Sequence, residues 1–173
     1  MRRVLLAVVF GFLAYPAVAG EENLCSSHEV EVVACTLETN NQVLSICADD
    51  GLGKTFYRLG NEKHLELEVE FSGQHRIMRW VDPATYVTFF GFNKGAHTYI
   101  VGVPQEVYGA RSFSFVQKVG SRVDFNAPAF CTSPSFGEKS FINEAIKDVG
   151  HSVMNDEGFF LPQAVNRDKQ ETR

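Results

Sequence analysis

Leu65-Glu66-Leu67-Glu68-Val69-Glu70-Phe71 alternates without interruption. Leu65, Leu67, Val69 and Phe71 fall on one side of an extended chain; Glu66, Glu68 and Glu70 fall on the other. A period of two with one charged face is the pattern of an antiparallel strand buried on one side only.

The flanks continue in the same style. Residues 28–37 are Val-rich and alternate, Asn40-Asn41 supplies a turn, and 42–48 returns as a strand. Asp49-Asp50-Gly51-Leu52-Gly53 breaks it, 55–59 makes another strand, and Gly60-Asn61-Glu62 turns the chain into the acidic strand. Downstream, 77–81 is a strand ending at Asp82-Pro83. Residues 85–92 and 97–103 are apolar on both faces and are joined through Asn93-Lys94-Gly95-Ala96. Strands covered on both faces fit the centre of a sandwich or barrel. Residues 111–118 and 122–126 form a last hairpin about Gly120-Ser121. Phe141, Ile142, Ala145, Ile146 and Val149 then recur at helical spacing, with Gly150 as a stop, so a helix is expected over about 140–149. The expected fold is mainly β: an antiparallel sandwich or barrel of about eight strands with one C-terminal helix. It forms a single β-rich domain over 20–165, followed by a polar tail at 166–173 that should fray.

The first nineteen residues read as a secretory signal peptide. Arg2 and Arg3 precede an apolar run from Val4 to Tyr15, and Ala17-Val18-Ala19 is a small-x-small cleavage site. About a dozen apolar residues fall short of the ~20 that span a bilayer, so no membrane anchor is expected after cleavage. A periplasmic or secreted location follows, where the four cysteines, Cys25, Cys35, Cys47 and Cys131, oxidise. Four cysteines allow three pairings. A three-residue turn at Asn40 to Gln42 would set Cys35 opposite Cys47, at about the 4.5 Å of a non-hydrogen-bonded cross-strand pair. The expected bridges are therefore Cys35–Cys47 and Cys25–Cys131. No C-x-x-C and no zinc-module spacing occurs.

The chain carries 16 basic and 21 acidic residues, and cleavage would remove two of the arginines. A net acidic domain gains no counterion release from phosphates, so nucleic acid is not an expected partner. The sign suits a basic partner. Ala48 to Thr55 matches a relaxed phosphate-loop pattern, but Phe56-Tyr57-Arg58-Leu59 after it reads as strand rather than helix, and two aspartates in the loop repel phosphate. Asp49, Asp50 and Glu62 lack the spacing of a calcium loop. The histidines are scattered, and no nucleophile elbow appears. Neither catalytic residues, nor a metal, nor a cofactor is expected, and catalysis itself stays open.

The candidate binding residues are of three kinds. Tyr57 and Arg58 combine an aromatic with an arginine, as interface hot spots do. Glu66, Glu68 and Glu70 form an acidic docking strip. Lys94, His97 and Tyr99 surround a hairpin tip able to enter a partner's cleft.

Val33-Ala34-Cys35, Val43-Leu44-Ser45-Ile46-Cys47, Tyr57-Arg58-Leu59-Gly60 before an acidic strand, the Gly95 to Tyr99 strand and late Cys131 together resemble a family of small secreted proteobacterial proteins of unknown function. In plan the chain is also similar to periplasmic lysozyme inhibitors. That resemblance implies an exported domain that binds a macromolecule, an inhibitor of a basic envelope-attacking enzyme. Two other readings remain: a small envelope hydrolase acting on peptidoglycan or glycans, and a barrel holding an apolar ligand among Phe89, Phe90, Phe113 and Phe115.

Overall fold

The computed structural model describes residues 22–105, 110–118, 128–132 and 137–150, with the backbone of 154–155 and 158–159. The leader at 1–19, the strand expected at 122–126 and the tail at 166–173 lie outside the described residues.

The protein is built from β-sheet. β1 (Val30–Thr36), β2 (Val43–Asp49), β3 (Lys54–Asn61) and β4 (His64–Phe71) pair in sequence order as a four-stranded antiparallel sheet. A six-stranded sheet follows from β5 (Ile77–Val81), β6 (Thr88–Lys94), β7 (His97–Val103), β8 (Phe113–Lys118), β9 (Ala129–Phe130) and β10 (Ile146–Asp148), in the order β10-β5-β6-β7-β8-β9. β11 (Met154–Asn155) and β12 (Gly158–Phe159) form a separate short pair. The alternation of β4 is realised from Leu67 onward; a register shift between Leu59 and Gly60 leaves Glu66 without a β3 partner and sets exposed Leu65 opposite Gly60. Val69 and Phe71 are buried while Glu66, Glu68 and Glu70 face solvent.

One apolar core is shared by the two sheets. Leu44, Ile46, Tyr57, Val69 and Phe71 come from the first, and Ile77, Phe90, Phe92, Val101 and Val103 from the second. Phe92 packs edge-on against Tyr57 at 4.9 Å and Phe71 at 5.1 Å, and stacks on Tyr99. A second cluster of Trp80, Phe89, Ile100 and Phe115, with Phe113 beside it, lies on the other face of the six-stranded sheet. Phe89 and Phe90 are successive residues of one strand and point to opposite faces. The four phenylalanines expected to surround an apolar ligand are thus divided between both sides of a sheet and line no common cavity. The ring of Phe113 occupies the space above Gly102, where a Cβ would stand 2.3 Å from it.

Both disulfides differ from the sequence expectation. The bonds are Cys25–Cys47 and Cys35–Cys131. The β1–β2 connection is longer than a three-residue turn: Thr36 faces Val43, the Leu37 amide donates to the Gln42 carbonyl, and Asn41 takes a left-handed φ of 56°. Cys35 therefore lies opposite Leu44. A bulge between Glu31 and Val33 then shifts the ladder so that Cys47 meets Glu31. Cys47 reaches the N-terminal segment instead, and Cys35 clips β1 to the chain just after β9, where the Thr132 amide donates to the Thr36 carbonyl.

The expected helix at 140–149 is also absent. Residues 146–148 form β10, which pairs parallel to β5 and makes the second sheet mixed rather than purely antiparallel. Asn143 interrupts the helical pattern: its side chain accepts the Ala145 amide at 2.8 Å, and its carbonyl accepts the Ile146 amide. The β5 edge then takes over the backbone, through Ile77 N–H to the Ala145 carbonyl and Val149 N–H to the Arg79 carbonyl. Ile142, assigned to the apolar helix face, is 85% exposed.

Arg79 locks this segment. Its guanidinium grips the Asp148 carboxylate through Nε (2.6 Å) and Nη2 (2.9 Å), and donates through Nη1 to the Lys139 and Phe141 carbonyls. Peptide mapping of unreduced protein should recover Cys25–Cys47 and Cys35–Cys131; a Cys35–Cys47 fragment would refute this register. Gly102→Ala should lower stability by about 1–3 kcal/mol by displacing Phe113, measured by urea denaturation.

Candidate functional site

β3 alternates between core and surface, so Tyr57 points inward and Arg58 outward. Outward residues Ser45 on β2, Arg58 on β3 and Glu68 on β4 stand in one row across the four-stranded sheet. The N-terminal segment crosses that row. Leu24 N–H donates to Ser45 Oγ at 3.0 Å, Asn23 donates to Glu31, and Cys25 is bonded to Cys47.

Arg58 is buried beneath this strap although it carries a full charge. Its donors are matched. Nε meets Glu68 at 2.8 Å, Nη1 meets Glu29 at 2.5 Å and the Leu24 carbonyl at 3.0 Å, and Nη2 meets Glu29 at 2.9 Å. The guanidinium also lies over the Phe56 ring, 4.6 Å from its centre. The Glu29 side chain is only 3% exposed. Burial works to raise its pKa, but hydrogen bonds from Arg58 and the Ser26 amide, with the charge of Arg58, outweigh it and hold the carboxyl below its usual range. The hydrogen bond to Glu29 in turn holds Arg58 above its ordinary value.

A solvent-open groove of about 460 Å³ adjoins this network, lined in part by Leu24, Arg58, Asn61, Glu62, Leu65 and Glu68. The tight β3–β4 turn shapes it. Gly60 adopts a φ of 148°, and a Cβ there would meet the His64 carbonyl oxygen at 2.3 Å. Asn61 Oδ1 accepts the amides of Lys63 and His64, which presents Glu62 outward. Glu66 and Glu70 continue the carboxylate row along β4, with Glu70 paired to Lys54 at 2.7 Å.

The sequence candidates separate into three places. Arg58 and Glu68 meet directly, and Glu66 and Glu70 share their face. Tyr57 lies 6.0 Å from Tyr99 across the core. Burial pushes the Tyr57 phenol far up in pKa, the neighbouring Tyr99 adds to this, and a hydrogen bond with Ser114 opposes it, so Tyr57 is a neutral core residue rather than a contact surface. Lys94 and His97 face each other at the exposed β6–β7 tip, on the other sheet.

Asp49 and Glu62 flank opposite ends of β3 and do not converge; Asp49 instead accepts the Leu52 amide and lies 3.3 Å from His28. Among the described residues the one compact set of metal-ligand types is Cys25, Glu29 and Cys47, but the thiols are joined to each other and the carboxylate is held by Arg58. Sequence reading missed Glu29, Leu24, Asn61 and Leu65, because nothing local marks the strap as packed against β3.

No family model, curated protein or solved structure matches the chain.

Arg58→Met should cost about 3–5 kcal/mol, because it strands Glu29 in a buried position; Glu29→Gln in the same background should recover part of that loss. Since the folded-state pKa of Glu29 is depressed, its stabilising contribution is complete above the unfolded value of about 4.3. It is lost as pH falls through the lower folded value. Chemical denaturation of the wild type from neutral to acid pH should show this loss, and Glu29→Gln should flatten it.

Proposed function

We propose that this chain is an exported binding domain that takes a basic macromolecular partner along its acidic β4 face. The partner class that suits it best is a cationic envelope-attacking enzyme of the lysozyme type, which the domain would inhibit. The reading is carried by one arrangement: Glu66, Glu68 and Glu70 project in a row from β4, beside a groove containing Glu62, Asn61 and half-exposed Leu65. Glu66 and Glu62 have no ion-pair partner among the described residues, so their field is available to a ligand. An acidic surface steers a cationic protein toward itself and gives the encounter a strong salt dependence. Two disulfides suit an oxidising compartment, which supports a periplasmic or secreted location.

The groove also holds two carboxylates, the raw material of a glycan hydrolase. Glu68, however, is engaged by Arg58 through Nε, and Glu62 belongs to an open turn. A glycosidase acid and base must flank the scissile bond. That geometry favours binding over hydrolysis.

Titration calorimetry with a basic lysozyme at low and high ionic strength tests the proposal. Binding is expected at low salt and should weaken as salt rises. The Glu62→Gln, Glu66→Gln double variant should bind about tenfold more weakly, or ~1.4 kcal/mol, with unchanged thermal stability. No detectable binding at low salt would overturn the partner class.

A further inference from the structure

Among the described residues, three of the four edges of the two main sheets are closed or short, and one is long and open. At β1 the edge is taken by the chain around β9: Glu38 N–H donates to the Phe130 carbonyl, Thr132 N–H to the Thr36 carbonyl and Glu138 N–H to the Glu31 carbonyl. The first of these bonds covers the outer side of β9, a strand of two residues. At β5 the edge is taken by β10, a strand of three residues. β4 is the exception. It runs for eight residues, pairs only with β3, and its outward backbone groups meet no other backbone among the described residues.

We propose that the partner adds a strand to this edge: an extended segment with Lys or Arg at alternate positions, hydrogen-bonded along β4. The inference rests on the acidic β4 face being the binding face, and it specifies how that face is used. A strand laid beside β4 places alternate side chains opposite Glu68 and Glu70, at the ~4.5–5.5 Å of cross-strand neighbours, with Glu66 next along the edge at the β3–β4 register shift. Its intervening residues fall beside Leu67 and Val69, which are half-buried and buried. The matching sequence is therefore basic–apolar–basic–apolar–basic. Main-chain bonds would supply affinity and the carboxylates would supply selection.

The same charges decide against a second copy of this chain as occupant. Two β4 strands paired edge to edge would set glutamates against glutamates, and like charges in cross-strand positions destabilise a pair. An open edge normally invites self-association; here the carboxylate row repels its own kind and admits a cation-bearing strand.

The test uses the full folded protein and a labelled peptide of alternating Lys and Val, read by fluorescence anisotropy and by hydrogen exchange of the 64–71 amides. The expected result is binding by this peptide but not by its Glu/Val counterpart. The 64–71 amides should be slowed in the complex. Glu66→Lys should weaken binding at least tenfold, and so should N-methylation of the peptide backbone, which keeps every charge. Equal binding by the N-methylated peptide, or protection located elsewhere, would overturn strand addition while leaving charge-driven docking of a basic enzyme intact. Failure of the Lys/Val peptide to bind at low salt would also overturn it. Slowing of 64–71 with rising protein concentration and no peptide would show self-pairing and overturn the proposed occupant. A positive peptide result alongside no binding of lysozyme would instead reject the enzyme and retain the edge.

Discussion

Two buried guanidinium groups organise this protein, and each does so by closing a segment of chain over a sheet. Arg58 holds the N-terminal strap across the first sheet, and Arg79 holds the 139–148 segment beside the second. Each grips one carboxylate through two nitrogens and one or two main-chain carbonyls through Nη1. Arginine suits the task because its planar fork offers donors in fixed directions, whereas a lysine ammonium could not serve a carboxylate and separated carbonyls together. Burying a charge is costly unless it is fully matched. Once matched, the arrangement is specific, since any other path of the strap strands a donor. Asp148 shares the logic of Glu29. The hydrogen bond from Arg79, and its charge, outweigh partial burial and hold the carboxyl below its ordinary range.

These clasps explain which surfaces remain available. The strap conceals Ser45, Cys47 and Arg58, so the cationic centre of the first sheet is hidden and its carboxylates are left outside. The disulfide from Cys35 to Cys131 and the paired backbone around it seal the β1 edge. β10 seals the β5 edge. What stays exposed is a coherent acidic margin: Glu62 at the turn, then Glu66, Glu68 and Glu70 along β4. The margin owes its sign to the strap, because an uncovered Arg58 would place a positive charge in the middle of the row.

How much of this could be read from the chain depended on the range of the signal. The acidic strand, the turn before it, and the apolar pair at β6 and β7 were legible, because their signals are local. The helix expected over 140–149 failed because its apolar spacing is also compatible with an extended segment. The decision was made by β5 and Arg79, dozens of residues away in sequence. The disulfides failed for a related reason: the longer β1–β2 connection set Cys35 opposite Leu44 rather than Cys47, and a bulge at Glu31–Val33 set Cys47 opposite Glu31. Arg58 was singled out for its chemistry, but its true role needed Glu29 and Leu24, and no motif links those residues. Of the four phenylalanines grouped around an apolar ligand in one alternative reading, Phe90 parts from the other three, because Phe89 and Phe90 adjoin in sequence and diverge in space.

The alternation along β3 ties the core to the acidic face. Tyr57 is locked inward among Phe92, Tyr99 and Ser114, so its neighbour Arg58 must point outward. A slip of one residue would bury the guanidinium in an aromatic core and expose the phenol, so the register of β3 against β2 and β4 is strongly specified. β4 inherits that register through Arg58 opposite Glu68 and Leu59 opposite Leu67. The backbone positions of the carboxylates are consequently set by packing on the far side of the sheet, and Glu68 and Glu70 are held further by Arg58 and Lys54. Carboxylates already held by Arg58 and Lys54 lose less conformational freedom when a partner docks, which is the condition under which modest electrostatic contacts add usefully to affinity.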